Sequence, residues 1–87
     1  MAIISEQIKG IMINVEIESS NLKSASFNVE DETLRITFKN GSIYDYYNFP
    51  WPEFTKFRMT ESQGKFFSSE INGKYSYKKF IPTEVIS

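Results

Sequence analysis

The segment KNGSIYDYYNFPWP, residues 39–52, decides most of the architecture of this chain. Asn40-Gly41 is a turn signal, and the run that follows it is rich in tyrosine, as strands often are. Pro50 ends that run because proline has no N–H to donate to a sheet, and Pro52 suits the first turn of a helix. The segment therefore predicts a β-hairpin whose second strand leads directly into a helix.

The hairpin has two alternative registers. A three-residue loop with Gly41 in the left-handed region pairs Ile36 with Tyr44 and sets Arg35 opposite Asp45 as an ion pair. A two-residue loop would instead place Asp45 among apolar residues. It would also turn the tyrosines to the other face, beside Arg35, as a stacking platform. We favour the three-residue loop, which makes Tyr44 and its neighbour Tyr46 part of the core.

Alternation of apolar and polar residues predicts four strands, at about residues 11–18, 24–29, 33–39 and 42–48. The inward positions of the first three are Ile11, Ile13, Val15, Ile17, Ala25, Phe27, Val29, Leu34, Ile36 and Phe38. Residues 1–10 show neither helical nor strand periodicity and stay unassigned. The run Glu30-Asp31-Glu32 has no calcium-loop spacing and is interpreted as a solvated turn.

Two short helices follow the strands. Trp51, Phe54 and Phe57 form one apolar stripe that ends near residue 59 and leaves Lys56 outside. Thr60-x-x-Gln63 is interpreted as a capping box that begins a second helix.

That second helix would bury Phe66, Phe67 and Ile71 and end at Asn72-Gly73, a left-handed cap. Gly64 weakens it unless another group packs closely there. Residues 75–82 form either a short edge strand, the fifth, or an extended tail.

The sequence thus predicts an α+β fold, with a four-stranded, mainly antiparallel meander sheet packed by one or two short C-terminal helices. We expect one domain over residues 1–87, comprising an extension with a strand at 1–14, a central region at 15–80 and a tail at 81–87. Its 87 residues allow one modest core.

Composition argues against several kinds of chemistry. The chain has no Cys and no His, which removes disulfides, thiolate nucleophiles, Cys/His zinc sites and imidazole acid–base catalysis. We expect no enzyme activity, no metal and no cofactor. With no long apolar run and no leader-like N-terminus, we expect a soluble cytoplasmic protein that does not bind membranes.

The net charge of −1 is unevenly distributed. Residues 1–55 carry four basic and eight acidic side chains, whereas residues 56–87 carry six basic and three acidic ones. The acidic balance argues against tight, nonspecific binding of nucleic acids, whereas the C-terminal third carries enough cations for a local basic face.

An ordered series of features runs from about Val15 to Phe80. It comprises Ser19-Ser20, a strand at Ala25–Val29, Leu34-x-Ile36-x-Phe38, Asn40-Gly41, Tyr44-Asp45-Tyr46, Pro50, Ser62-Gln63-Gly64, Phe66-Phe67, Ile71 and Tyr75. This series resembles the KTSC domain, a family named for its position at the C-terminus of some lysyl-tRNA synthetases and also found as small bacterial and phage proteins. The resemblance implies RNA binding, although the added N-terminal strand and the acidic balance depart from the family pattern.

Two classes of ligand follow. A nucleic-acid module, for single-stranded RNA above all, would use interleaved cations and rings. Its candidates are Lys74, Tyr75, Tyr77, Lys78 and Lys79, with Lys56, Arg58 and Lys65 nearby, and Arg35, Tyr44 and Tyr46 in the alternative register. Against this, the tyrosines could pack on the sheet while the lysines protect an edge strand.

The alternative is a small phage or bacterial protein that sequesters a nucleotide or binds a host protein, acting in the bacterial or phage-infected host cytoplasm. A nucleotide-sized groove is predicted near Trp51, Ser62 and Gly64, where helix-start N–H groups can hold an anion. A third hypothesis is a homo-oligomer that associates through the strand at 11–18.

Overall fold

The computed structural model describes the backbone of residues 2–9 and all of residues 12–81. Six strands form one antiparallel sheet in which each strand pairs with the next along the chain. They are β1 Ala2–Lys9, β2 Met12–Glu18, β3 Leu22–Asn28, β4 Thr33–Phe38, β5 Ile43–Tyr46 and β6 Tyr77–Phe80. Two short helical segments between β5 and β6 cover one face, so the predicted α+β meander is confirmed.

Both ends of the sheet were open questions. The unassigned N-terminal residues form β1, and the residues after Tyr75 form β6, an edge strand and not a tail. The predicted strand position Ile11 and residues 82–87 of the predicted tail lie outside the described residues. Strand β3 begins earlier than predicted, at the fully buried Leu22, and ends before Val29, which lies 39% exposed in the following turn. The inward placement of Val29 was wrong because the chain has already left the sheet there.

The favoured hairpin register is confirmed. Ile36 pairs with Tyr44 and Arg35 pairs with Asp45. Gly41 has φ +95°, a left-handed conformation that suits glycine, and the Phe38 N–H donates to the Ser42 carbonyl at 2.8 Å. The ion pair has formed as two parallel hydrogen bonds, from Arg35 Nε and Nη2 to the two Asp45 oxygens at 2.7 and 3.0 Å.

Antiparallel pairing lines up side chains across the sheet in rows that alternate between its two faces. We call one the inner row, which faces the helices: Ile13, Phe27, Leu34, Tyr46 and Tyr77. We call its immediate neighbour the outer row, which lies on the opposite face: Asn14, Ser26, Arg35, Asp45 and Lys78. The inner row is 5% exposed or less from Ile13 to Tyr46, and the core therefore lies beneath β2–β5.

Helix α1, Trp51–Met59, closes that core. Phe54 and Phe57 are fully buried, and the Phe54 ring stacks on Phe27 of β3 with centroids 4.6 Å apart. The predicted stripe is thus confirmed for these two residues. Trp51 is 42% exposed and covers Phe27 from the side, with centroids at 5.9 Å.

The junction after α1 differs from the predicted capping box. Thr60 ends α1, and the second helix, α2 Gln63–Phe66, is capped by Ser62, whose hydroxyl accepts from the Lys65 N–H at 3.2 Å. The buried Gln63 instead donates from Nε2 to the carbonyls of Phe57 and Thr60 at 3.2 and 3.1 Å. The capping-box prediction was wrong because Gln63 serves the end of the preceding helix, a contact between elements that spacing alone does not reveal.

Helix α2 continues into one π-helical turn, Phe67–Ile71, in which the Asn72 N–H donates to the Phe67 carbonyl at 2.8 Å. The chain then leaves through Gly73, with φ +79°, as predicted. The extra residue of a π turn changes which side chains point inward. Phe66 meets Phe57, Phe67 meets Phe38, and Ile71 is fully buried.

The strand proposed as a subunit interface is internal. β2 has β1 on one side and β3 on the other, and its apolar side chains Ile13, Val15 and Ile17 are buried within the chain. It therefore offers a second subunit neither a free edge nor an apolar face. None of the described helices has the length and apolar content needed to cross a membrane.

Candidate functional site

A cavity of about 320 Å³ lies where the inner face of β5 and β6 meets the π-helical turn. We call it the tyrosine cleft, and it is lined by Phe38, Asn40, Ser42, Tyr44, Tyr46, Phe67, Asn72 and Tyr77. Five of these eight residues are aromatic, and none is charged at neutral pH. The cleft is thus suited to a flat, uncharged group with a few polar atoms on its rim.

Tyr77 is the exposed wall of this cleft. The residue is 59% exposed, and its ring packs against Tyr44 and Tyr46 with centroids 5.8 and 5.7 Å apart. Behind them, Phe67 packs edge-on against Tyr46 at 5.8 Å. The two supporting tyrosines hold one part of the Tyr77 ring while the rest remains available to a ligand.

Tyr46 is the deepest of the three tyrosines. It is 4% exposed, and burial, followed by the nearby Tyr44 and Tyr77, raises the pKa of its phenol to about 12. Burial has this effect because it disfavours the charged phenolate. At neutral pH the ring is thus an uncharged part of the cleft wall.

A second cavity, of about 470 Å³, adjoins the first. We call it the hairpin cleft, and it is lined by Ser20, Asn21, Leu22, Phe38, Lys39, Asn40, Gly64, Phe67 and Ser68. Phe38, Asn40 and Phe67 line both cavities, and the two rings meet edge-on at 5.3 Å. We call the two cavities together the edge groove.

Gly64 shapes the hairpin cleft through a close approach. A Cβ at this position would lie 3.2 Å from the hydroxyl of the buried Ser19. That hydroxyl accepts from the N–H groups of Asn21 and Leu22 at 3.3 and 3.4 Å, so it is held in place. The close packing against Ser19 therefore explains why α2 has a glycine in its first turn.

The cations near the groove are divided by strand alternation. Lys79 pairs with Tyr44, so its side chain leaves the same face as Tyr77, whereas Lys78 pairs with Asp45 on the opposite face. Lys39 lines the hairpin cleft, and Lys74 is exposed just after the π-helical turn. The interleaved cluster predicted at residues 74–79 is thus split between the two faces, and Lys79 shares the face of the tyrosines without lining their cleft.

Arg35 lies on the outer face, away from the groove. Besides its ion pair with Asp45, its guanidinium sits 4.1 Å from the centre of the Phe80 ring. The hydrogen bond to Asp45 raises the pKa of Arg35 above its ordinary value. Arg35 and Lys78 are therefore candidates for a different surface from the one that carries Tyr44 and Tyr46.

Several other candidates are occupied by structural contacts. Arg58 lies over the rings of Trp51 and Phe54 at 5.5 and 5.2 Å, and Lys56 pairs with Glu53 at 3.0 Å. Gly64 lines the hairpin cleft, whereas Trp51 is not among the residues that line it.

Tyr75 and the start of α2 also serve the fold. The Tyr75 ring packs on Phe49 with centroids 4.8 Å apart, and burial raises the pKa of its phenol. The Ser62 hydroxyl accepts from the backbone N–H of Lys65, and the Lys65 side chain is exposed on the helix surface. Neither Ser62 nor Tyr75 lines the edge groove.

Sequence reasoning missed most of the residues that line the groove. Phe38 and Phe67 looked like ordinary core residues, while Asn40 and Asn72 looked like turn and cap residues. They converge only because the β4–β5 hairpin packs against the π-helical turn. No periodic signal in the sequence encodes that contact.

Comparison with known proteins shows which family has this architecture. The KTSC domain family model matches residues 18–75. A segment of the lysine–tRNA ligase of Nostoc punctiforme is 31% identical over 62 residues, which are 71% of this chain and 11% of the ligase. The corresponding ligase of Trichormus variabilis is 29% identical over the same length. The chain thus spans about a tenth of the curated relatives that it matches.

A solved structure of a KTSC domain protein has the same fold. The crystal structure of a KTSC domain protein from Yersinia pestis superimposes with a TM-score of 0.74 at 28% identity, covering 80% of this chain and 99% of that one. The matched segment contains β3–β5, both helical segments and most residues of the edge groove. This chain belongs to the KTSC domain family.

Proposed function

We propose that this protein is a noncatalytic module that binds single-stranded RNA in the edge groove. The observation that carries the proposal is the exposed Tyr77 ring, supported by Tyr44 and Tyr46 and flanked on the same face by Lys79. Aromatic rings that stack on bases beside cations that follow the backbone are the usual means of binding single strands. The similarity to segments of lysine–tRNA ligases, which act on an RNA, supports this choice.

The groove favours unpaired nucleotides over a duplex. Its clefts are recesses of about 320 and 470 Å³, so a base must leave a helical stack to enter either one. A duplex would present mainly its phosphates, which require many cations, and the chain has a net charge of −1. We therefore expect modest affinity, carried by stacking as much as by charge.

Fluorescence anisotropy with short single-stranded RNA and DNA oligomers, titrated in salt, tests the proposal. Tyr77→Ala should weaken RNA binding by about 1–3 kcal/mol, the usual value of one stacked base, while Tyr77→Phe should retain it. Unchanged binding by the alanine variant, or no binding by the wild-type protein at any salt concentration, would remove the proposal.

Lys79 and Lys78 provide a matched pair for the same assay. They are adjacent on β6 and lose the same charge on substitution, but they leave opposite faces of the sheet. Lys79→Gln should lower the slope of log affinity against log salt by about 0.7, the value for one phosphate contact on a single strand. Lys78→Gln should leave the slope unchanged, and the reverse result would place the RNA on the outer face.

A free nucleotide is the second candidate ligand, because the hairpin cleft at about 470 Å³ falls within the size range of small-molecule sites. In this alternative the protein sequesters a nucleotide. Thermal-shift measurements with mononucleotides and cyclic nucleotides distinguish the two. A shift of several degrees with one compound, and none with oligonucleotides, would favour sequestration. Pull-down of a host protein without nucleic acid would instead favour a protein partner.

A further inference from the structure

The two clefts of the edge groove differ in chemistry. The tyrosine cleft has rings and amides but no charge, whereas the hairpin cleft contains Lys39 together with small polar side chains. A phosphate in the uncharged cleft would have no cation among its lining residues, whereas in the hairpin cleft it would have Lys39. The charged part of a ligand therefore belongs in the hairpin cleft, and a flat neutral part belongs beside the tyrosines.

The amides on the rim of the tyrosine cleft suit the edge of a base. Asn40 Oδ1 already accepts from the Ser42 N–H at 2.9 Å, which leaves its amide NH₂ as a donor. The side chain of Asn72 forms no hydrogen bond with any residue of the described chain, so both its donor and its acceptor are available. A neighbouring donor and acceptor is the pattern that nucleobases present at their edges.

The two clefts are adjacent and share lining residues, so they form one continuous groove. Phe38 and Phe67 form the wall between them, and Asn40 lines both, so a ligand that fills one cleft can continue into the other. Each cleft lies in the lower half of the range for small-ligand sites, a size that suits one nucleotide but not several. The whole groove matches two nucleotide units in sequence.

We propose that the edge groove holds two consecutive nucleotides, with an unpaired base in the tyrosine cleft and the next nucleotide in the hairpin cleft, its phosphate at Lys39. The smallest ligand that fills the groove is then a dinucleotide. This proposal rests on the proposed function. It specifies how many nucleotides the site holds and which cleft holds the phosphate. It also assigns a ligand contact to Lys39, Asn40 and Asn72.

Competition against a labelled single-stranded RNA oligomer tests the site size. The competitors are adenosine, adenosine monophosphate, the dinucleotide ApA and the trinucleotide ApApA, with the uridine series in parallel. For the better series, we expect ApA to compete at least fivefold more strongly than the mononucleotide, and ApApA to gain less than threefold over ApA. A smaller first step, or a larger second one, would overturn the inference.

Substitutions locate the two units. Lys39→Gln should reduce the advantage of ApA over adenosine, which has no phosphate, to less than twofold, because it removes the phosphate contact alone. Asn72→Ala should weaken adenosine and ApA by the same factor, because both present a base to the tyrosine cleft. Lys78→Gln, with the same loss of charge on the other face, is the control. An unchanged ApA advantage in Lys39→Gln would overturn the placement of the phosphate.

Failure of this inference is separable from failure of the proposed function. If the labelled RNA does not bind, the proposed function is wrong and the competition cannot rescue it. If the RNA binds and is displaced equally well by the mononucleotide and ApA, RNA binding stands while the two-nucleotide groove is wrong. Thermal melting of each variant confirms that it is folded.

Discussion

The inner and outer rows run across the same strands one residue apart, yet they are built from different chemistry. The inner row is sealed from Ile13 to Tyr46 and then becomes exposed at Tyr77. The outer row stays polar throughout, with the Arg35–Asp45 ion pair near its centre. The difference shows how one meander supplies both a core and a binding edge: the helices cover β2–β5 and leave the β6 end of the inner row accessible.

The largest test of this contrast compares Phe27→Ala with Ser26→Ala. Phe27 is fully buried and contacts the rings of Phe49 and Phe54, so its removal leaves a cavity and should cost about 3–5 kcal/mol of unfolding free energy. Ser26 donates to Asn14 at 2.6 Å on the outer face, and its loss should cost about 1 kcal/mol. Urea denaturation measures both, and similar costs would contradict the two-face description.

The second test uses the pH dependence of Tyr46. In the folded protein its pKa is raised to about 12, whereas in the unfolded chain it is about 10. Between these values the unfolded state loses its proton first, so the stabilisation is complete below pH 10 and is lost as the pH rises towards 12. The loss attributable to Tyr46 should be about 2 kcal/mol.

Urea midpoints at pH 9 and pH 11.5 measure this effect. Tyr46→Phe should show a smaller decrease than the wild-type protein, because phenylalanine does not ionise. Identical pH dependence in the two proteins would mean that Tyr46 is not held in a desolvated wall.

The ion pair of the outer row should contribute less. Arg35 is 41% exposed in its side chain, and exposed pairs are typically worth less than about 1 kcal/mol because water and salt screen them. We expect Asp45→Asn to lower the unfolding free energy by about 1 kcal/mol at low salt and by less in 0.5 M salt. A cost above about 3 kcal/mol would show that the outer face is covered.

The smallest expected effect is on the stability of the two lysine variants. Lys78 and Lys79 are both exposed on the edge strand and form no ion pair with the described residues. Lys78→Gln and Lys79→Gln should each change the unfolding free energy by less than about 0.5 kcal/mol. A difference between them in RNA binding then reports the face that is used and not a difference in folding. A larger loss in one variant would remove that interpretation.

Local patterns were enough to predict most of the fold. The hairpin register could be predicted from the alternation of inward and outward residues around Ile36, Tyr44 and Asp45. A shift of one residue would have placed the Asp45 carboxylate among apolar side chains. Phe54 and Phe57 identified the buried face of α1, and Gly73 marked the end of the second helical segment. These signals lie within a few residues of the feature that they predict.

The predictions that failed concerned contacts between separate helices and strands. Gln63 could not be assigned to the end of α1 from spacing, since a capping box and a side chain that reaches backwards share the same sequence. The edge groove was missed for the same reason, because Asn40 and Asn72 lie on segments that meet only in the folded chain. Among the predicted cations, Lys78 and Lys79 could be separated only once the pairing of β6 with β5 was known.

The order of the strands has a consequence for how the molecule assembles. From β2 to β5 each strand joins its neighbour through a short connection, so those pairings require little loop-closure entropy. β6 differs, because the whole connection from residue 47 to residue 76, including both helical segments, separates it from β5. We expect β6 to dock last during folding and to detach first under mild denaturation. Hydrogen exchange would then report faster opening at Tyr77–Phe80 than at β3 or β4, and ligand binding would slow it.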